Sequence, residues 1–570
     1  MPDAKRAAIA DCAVLLPAIA LFIAIASYVG MMRYMNFYTS DWDLGIMQQM
    51  LFSTLHGRIL FETADYSTTG YFTYLEVNSA YIAIPLAYIY GLSQTPLTLF
   101  LIQSAAVGLG AIPVYLISMS SGNSRQESIL FSVLFLFAMA TLSSIFYDYH
   151  WESFIPLEFL LFYYFVSAGR YGYSALVLVA GSLTIEVFPL LAAGVVLYFI
   201  AAGTEASGRG LPAVNRYFVL LLAACAVAFL SVEAARSLVI VPLFGVAYTH
   251  FYSTPAAYFV SPAFSAKTLS RSLIYWLLLL STVAFLPLAK YRSLIMSAPW
   301  FVESVFLYPK FSQLFGYQYG FISFPPVLIS AILGYPSIRE KLSGTFILSL
   351  AIASVSALLL LSGGTIYFLK PRHYFDALAV LVAVSAAVSV LFISGIPGRI
   401  GLLRTRSHAG ILKIRKAGII LIVSLLFLNL VLGPLNTANF KANIGFNVSY
   451  SPNPDFRYIE QMAGMIPAGS YVFASDNLFP LVANNMHAYS AMWLPFNASY
   501  MPLLPFSPSR LPQYVFADSS QIGFLPPFIH EAVDNSSVYG LVAFVSVSGY
   551  PGSTYLWELH YTGNPTRLGQ

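Results

Sequence analysis

The sequence predicts a polytopic α-helical membrane protein of about thirteen transmembrane helices, ending in a small C-terminal α/β extracytoplasmic domain. Three observations predict it. Of 570 residues, 58% are hydrophobic and only 9% charged, against roughly 25% charged in soluble domains. The apolar runs reach about twenty residues, which is helix length, where a barrel strand would alternate over about ten. Finally, the character changes at residue 434. Residues 434–570 hold four Lys/Arg against seven Asp/Glu, so the chain's net +4 hides a +7 in residues 1–433. Two domains follow: a multi-span unit, 1–433, and the tail unit, 434–570.

The spans are read at 11–33, 97–119, 127–147, 153–168, 173–186, 187–202, 217–243, 271–289, 293–307, 320–336, 344–369, 374–395 and 417–433. Helices are required because lipid leaves each segment to satisfy its own backbone. Many of the 39 Tyr stand at span ends, as interfacial anchors do. The short run 79–92 reads as a re-entrant or interfacial helix. The pair 173–202 is broken near Glu186 and Pro189 and reads as two short helices or one kinked helix. The first run lacks a cleavage site followed by a soluble domain, so it reads as a retained anchor. Orientation comes from Lys/Arg in short loops. Residues 396–416 carry Arg399, Arg404, Arg406, Lys413, Arg415 and Lys416 without an acid, which makes that loop cytoplasmic. Counting spans from it puts the N-terminus inside and the tail outside a cell membrane. The basic excess is therefore topology, not nucleic-acid binding.

The first outer loop, 34–78, is long. Within it Leu44, Met47, Leu51 and Leu55 share one helical face, with Gly45, Gln48, Gln49, Ser53 and His56 on the other. That pattern predicts an amphipathic helix lying in the interface, capped by Ser40 or Asp43. The tail reads as helix 455–464, strand 470–475, helix 477–484, strand 513–517, helix 527–534 and strands 539–547 and 553–561 joined by Gly549-Tyr550-Pro551-Gly552. Its N-x-S sequons start at Asn447, Asn497 and Asn535.

Carboxylates next to a membrane are functional candidates. Asp41 and Asp43 follow the first span, and Asp43 abuts the predicted helix; either suits a general base. Asp148, His150 and Glu152 form an i, i+2, i+4 set between two spans, with three polar groups on one side to bind sugar hydroxyls or a divalent cation. Glu186 lies between two apolar runs and faces an outer pocket if those are separate helices. Arg372 suits a phosphate. Gln318 and Tyr319, and Glu76 with Asn78, are outer polar or aromatic patches. Glu233 and Arg236 read as an internal ion pair. Cys12 and Cys225 both fall in spans, so a disulfide framework is excluded. The sequence has no Walker A, HExxH, CxxC or EF-hand spacing. A metal ligand set is therefore unknown from the sequence, and the cofactor expectation is none beyond that divalent cation.

Ordered along the chain are Trp42-Asp43-Leu44-Gly45-Ile46 with Gln49 and Leu55-His56-Gly57, Ile84-Pro85-Leu86, Leu101-Ile102-Gln103, Tyr147-Asp148-Tyr149-His150-Trp151-Glu152, Ile185-Glu186, Gln318-Tyr319 and Ile466-Pro467-Ala468-Gly469-Ser470-Tyr471-Val472. In this order they resemble the archaeal and bacterial family of predicted membrane proteins called domain of unknown function 2079. That family looks like part of the GT-C superfamily of integral-membrane glycosyltransferases. The resemblance implies a GT-C-like fold and a sugar moved from a polyprenyl-phosphate carrier to an acceptor at the outer face. It implies Asp43 as general base, Asp148 and His150 ordering sugar or acceptor, and Arg372 holding the lipid phosphate. Two departures stand out: Asp-Tyr-His-Trp-Glu replaces the commoner Asp-Phe-His-Pro, and Ile185 stands where a Lys is common. The competing classes are a lipid or solute transporter and a non-catalytic assembly protein.

Overall fold

The computed structural model describes residues 2–64, 73–76, 78–207, 216–244, 266–307, 316–339, 410–435, 450–490, 504–547 and 549–569. The spans expected at 344–369 and 374–395, Arg372, Asn447 and Asn497 lie outside the described residues.

Five described helices are long and apolar enough to cross a membrane: Ala13–Met35, Pro96–Ser120, Arg125–Ile145, Arg216–Leu243 and Gly320–Arg339. Shorter apolar helices cover Tyr171–Thr184, Phe188–Gly203 and Gly418–Phe427. The first of the long set belongs to α1, Pro2–Met35. It comes close to the helix Pro96–Leu109 because Gly30 faces the Phe100 ring, where a Cβ would stand 2.7 Å from Cδ1. Small residues permit such approaches between apolar helices.

Among the described residues, the bundle departs from straight spans in several places. The pair 173–202 is two helices, because Ile185 is extended (φ −156°, ψ 142°) between Tyr171–Thr184 and Phe188–Ser207. The expected span 271–289 stops at Ser281. Ala284 and Phe285 then take positive φ, and the chain continues as a 3₁₀ segment, Leu286–Ser297. The expected span 293–307 is a composite of that segment, a short helix Ala298–Val302 and a π-turn Glu303–Leu307. Pro287 and Pro299 each remove a backbone donor here. Irregular backbone is tolerated where protein surrounds it, and Leu286, Met296 and Trp300 are buried.

Buried side chains repair the breaks. Asn429, on the helix Gly410–Leu432, accepts the Met139 N–H at 2.8 Å where the 125–145 helix breaks at Ala138. Its Nδ2 donates to the Thr282 carbonyl at 3.1 Å, just past the end at Ser281. Glu127 closes a capping box with Ser124 and accepts from Arg339 (2.9 Å) and Tyr335 (3.0 Å) at the far end of Gly320–Arg339. The expected Glu233–Arg236 pair forms at 2.8 Å.

The tail folds into a six-stranded sheet: β1 (Val472–Ala474), β2 (Ala488–Ser490), β3 (Tyr514–Asp518), β4 (Tyr539–Val545), β5 (Thr554–Leu559) and β6 (Thr566–Leu568), in the order β2-β1-β3-β5-β4-β6. β2, β1 and β3 run parallel, and β5 pairs antiparallel with both β3 and β4. The expected helices lie at Phe456–Ala463, Phe479–Val482 and Pro527–Val533. β2 and β6, three residues each, were not expected.

The first loop is built onto this sheet. After α1 come a π-turn, Asp41–Gly45, and α2, Ile46–Leu55. One apolar core joins Leu44, Met47, Met50 and Leu51 to Phe456, Val472, Leu478 and Phe516. α2, expected to lie in the membrane interface, is thus packed against the tail. Its polar face is buried against the tail: Gln49 Nε2 donates to the carbonyls of Asn485 (2.7 Å) and Ala488 (3.1 Å), while its Oε1 accepts the Thr63 N–H (2.8 Å). A polar stripe seeks hydrogen bonds, and here protein supplies them in place of water.

Candidate functional site

The π-turn sets the site. Ser40 is extended, and its hydroxyl accepts the Asp43 N–H (3.3 Å) and donates to Asp43 Oδ2 (3.1 Å). The Gly45 N–H closes the five-residue turn on the Ser40 carbonyl at 2.9 Å. Gly45 is required by contact: a Cβ there would meet Phe479 Cδ1 at 2.5 Å. Single π-turns concentrate at functional sites.

The turn aims Asp41 and Asp43 in opposite directions. Asp43 lines a cavity of about 170 Å³ between the loop and the helical bundle. Its Oδ2 also accepts from the Tyr147 hydroxyl (2.8 Å), and its Oδ1 lies 3.3 Å from His150 Nε2. The Tyr147 and His150 rings stack, with centroids 5.4 Å apart and an interplanar angle of 7°. Burial alone would raise the Asp43 carboxyl, but the His150 contact and charge, then the Tyr147 and Ser40 hydroxyls, hold it below the usual carboxylate range. Burial likewise lowers His150, and Asp43 more than offsets this, so the imidazole sits above its ordinary value. Asp43 and His150 thus shift each other toward their charged forms.

The second cluster divides. His150 and Glu152 line the cavity, with Glu152 Oε2 3.8 Å from His150 Nδ1. Asp148 does not share that side, because the chain is not a regular strand here. Its carboxylate accepts the Tyr149 N–H (3.0 Å) and feels the Arg33 guanidinium at the end of α1. Burial, then the Asp43 charge, push Asp148 up to about 7, with Arg33 pulling the other way. Asp41 also leaves the cavity. It is fully buried on the sheet side, where its N–H donates to Asp476 Oδ1 at 2.9 Å.

Glu186, at the break between two helices, lines the cavity and accepts the Ser79 N–H at 3.0 Å. Gln318 and Tyr319 line it too, as does Asn78. Sequence reasoning missed Trp42, Tyr74, Trp300 and Glu303. Glu303 was legible as a carboxylate inside an apolar run, and the Glu186 charge bears on it. Trp300 stacks on Tyr319 with centroids 5.8 Å apart. Trp300 Nε1 and Gln318 Oε1 are buried without a hydrogen-bond partner among the described residues, which leaves both available to a ligand. Among the described residues, no group of three or more His, Cys, Asp or Glu is placed to hold a metal ion.

The order of these residues along the chain has a counterpart. A family model described as predicted membrane protein (DUF2079) matches residues 33–379. The chain belongs to that family. The DUF2079 match takes in the π-turn, the His150 cluster, Glu186 and Tyr319, and ends before the sheet. No curated protein matches. Two solved structures match over nearly their whole length: ArnT from Cupriavidus metallidurans in the apo state (14% identity, TM-score 0.49, 95% of this chain and 97% of that one) and ArnT from the same organism bound to undecaprenyl phosphate (15% identity, TM-score 0.48, the same coverage).

Proposed function

We propose that the chain is an integral-membrane glycosyltransferase of GT-C type, moving a sugar from a polyprenyl-phosphate-linked donor to an acceptor hydroxyl at the outer face of the cell membrane. The observation that carries this reading is Asp43: a carboxylate kept ionised by His150, Tyr147 and Ser40 at the wall of a cavity. The motif order shared with the family supports it. The acceptor oxygen attacks the anomeric carbon, its proton passes to Asp43, and the bond from carbon to phosphate oxygen breaks with its electron pair leaving on the polyprenyl phosphate. His150 stabilises Asp43 as the base before transfer. Glu152, Glu186, Gln318 and Asn78 offer hydrogen-bond partners to hydroxyls, and Trp42, Trp300 and Tyr319 offer apolar ring faces. In this reading Arg372 has the role of holding the lipid phosphate that the family resemblance implies, the N-terminus is cytoplasmic, and residues 434–570 form an extracytoplasmic domain.

The test is purified protein in lipid with a panel of polyprenyl-phosphate sugars, beside Asp43→Asn. Transfer or sugar release by wild type that is lost in the variant supports the reading. Turnover retained by Asp43→Asn removes Asp43 from the reaction, and a folded wild type inert on every donor returns the weight to transport or assembly.

A further inference from the structure

In the tail sheet, the chain leaves β1 for β2 on one side and later returns to β3 on the other. The carboxyl ends of β1 and β3 therefore flank a switch point, where open α/β sheets bind their ligands. Ser475, Asp476 and Asn477 follow β1, and Asp518 ends β3. What occupies this place is the first loop of the same chain. The Asp41 N–H donates to Asp476 Oδ1, and the fully buried Asp41 carboxyl lies against that of Asp476. Nearby, Gly45 touches Phe479, and the Tyr550 hydroxyl donates to the Phe37 carbonyl at 3.0 Å.

We propose that Asp476 is the positioning residue for Asp43: it seats the Asp41 end of the π-turn in the switch-point crevice, so that the other end presents Asp43 to the cavity. The consequence for rate rests on the transferase reading; the consequence for loop structure does not. Two neighbouring buried carboxyls each disfavour ionisation of the other. Burial first, then the Asp476 charge, raise Asp41 well above the usual carboxylate range; burial raises Asp476 as well. The other titratable groups bearing on the crevice are also acids: Asp43 and Tyr38 from the loop side, and Asp518 and Tyr550 from the sheet side. The Ser490 hydroxyl, at the end of β2, favours the ionised form of Asp41 and is neutral.

The experiment is hydrogen–deuterium exchange of the full chain in lipid nanodiscs, read as protection of residues 38–55 with 96–120 as internal reference. Asp476→Ala is expected to lose about tenfold or more of the loop's protection, the size of a buried charged hydrogen bond, with the reference unchanged. Asp476→Asn keeps an oxygen for the Asp41 N–H and supplies amide protons to the Asp41 carboxylate, so it is expected to restore protection. Unchanged loop protection in Asp476→Ala overturns the proposal. If that variant loses protection throughout the chain, Asp476→Ser takes its place with the same two outcomes. On a donor that wild type turns over, Asp476→Ala is expected to lower kcat with KM retained, and Asp476→Asn to recover kcat. Loss of loop protection in a chain whose wild type turns over no donor upholds the positioning and sinks the transferase reading alone. Full turnover with unchanged protection does the reverse.

Discussion

Asp41 and Asp43 are two residues apart on one turn, yet they meet opposite chemistry. Asp43 has the His150 imidazole and two hydroxyls, and burial is outweighed. Asp41 meets another carboxylate, and burial wins. Depth differs, since Asp41 is fully buried and Asp43 is partly exposed at the cavity wall, but the first neighbour sets the sign. A carboxylate at the foot of a membrane span is thus drawn toward its ionised or its neutral form according to what faces it.

The sharpest break in that comparison is Asp43→Asn. It keeps shape and loses the base, so turnover is expected to fall about 10²- to 10⁴-fold with the thermal unfolding midpoint unchanged; transfer kinetics check it. Next is His150→Gln, expected to cost about tenfold in kcat/KM, on the order of one buried polar contact. The sign of its pH effect follows from His150 being what holds Asp43 low. Without the imidazole, burial raises Asp43, and the acid limb of the pH–rate profile moves to higher pH. A profile that stays in place removes His150 from the pair.

Gly45→Ala acts on the joint between the two sides. Its new Cβ meets Phe479, and a stability loss of about 1–3 kcal/mol is expected, as for overpacked cores, read by thermal unfolding in lipid. The smallest effect at low pH is Asp41→Asn. Because the folded-state value of Asp41 is raised, its contribution is fully present below the unfolded value of about 3.9 and is lost as pH rises through the folded value. Asparagine does not titrate. The variant should therefore unfold within a few degrees of wild type at pH 4 and gain on it steadily toward alkaline pH. A gap that does not widen with pH would place the proton elsewhere.

Much of this architecture is legible in the sequence, and the failures share a cause. Apolar runs mark helices because lipid and core both demand them, and short runs bounded by turn residues matched four of six strands. Asp43, His150, Glu152, Glu186, Gln318 and Tyr319 were identified as charged or polar groups at span ends, and the structure brings all six to one cavity. The reading fails where a polar group's partner lies far along the chain. The Gln48–Gln49 face of α2 reads as water-facing, since nothing local announces that Asn485 and Ala488 will cover it. Asp148 reads as a neighbour of His150 because spacing carries no information about Arg33. Asp476 carries no signal, being an acid after a short strand in an acidic tail.

The bond between Asp41 and Asp476 spans 435 positions of sequence. At synthesis rates of about 5–20 residues per second, roughly 20–90 seconds separate the emergence of its two ends. Throughout that interval the loop bearing Asp43 lacks the partner that seats it, however early its own helix forms. A chain truncated before the sheet would insert its spans and still hold an unfinished loop, so the last quarter of translation decides when this protein becomes competent.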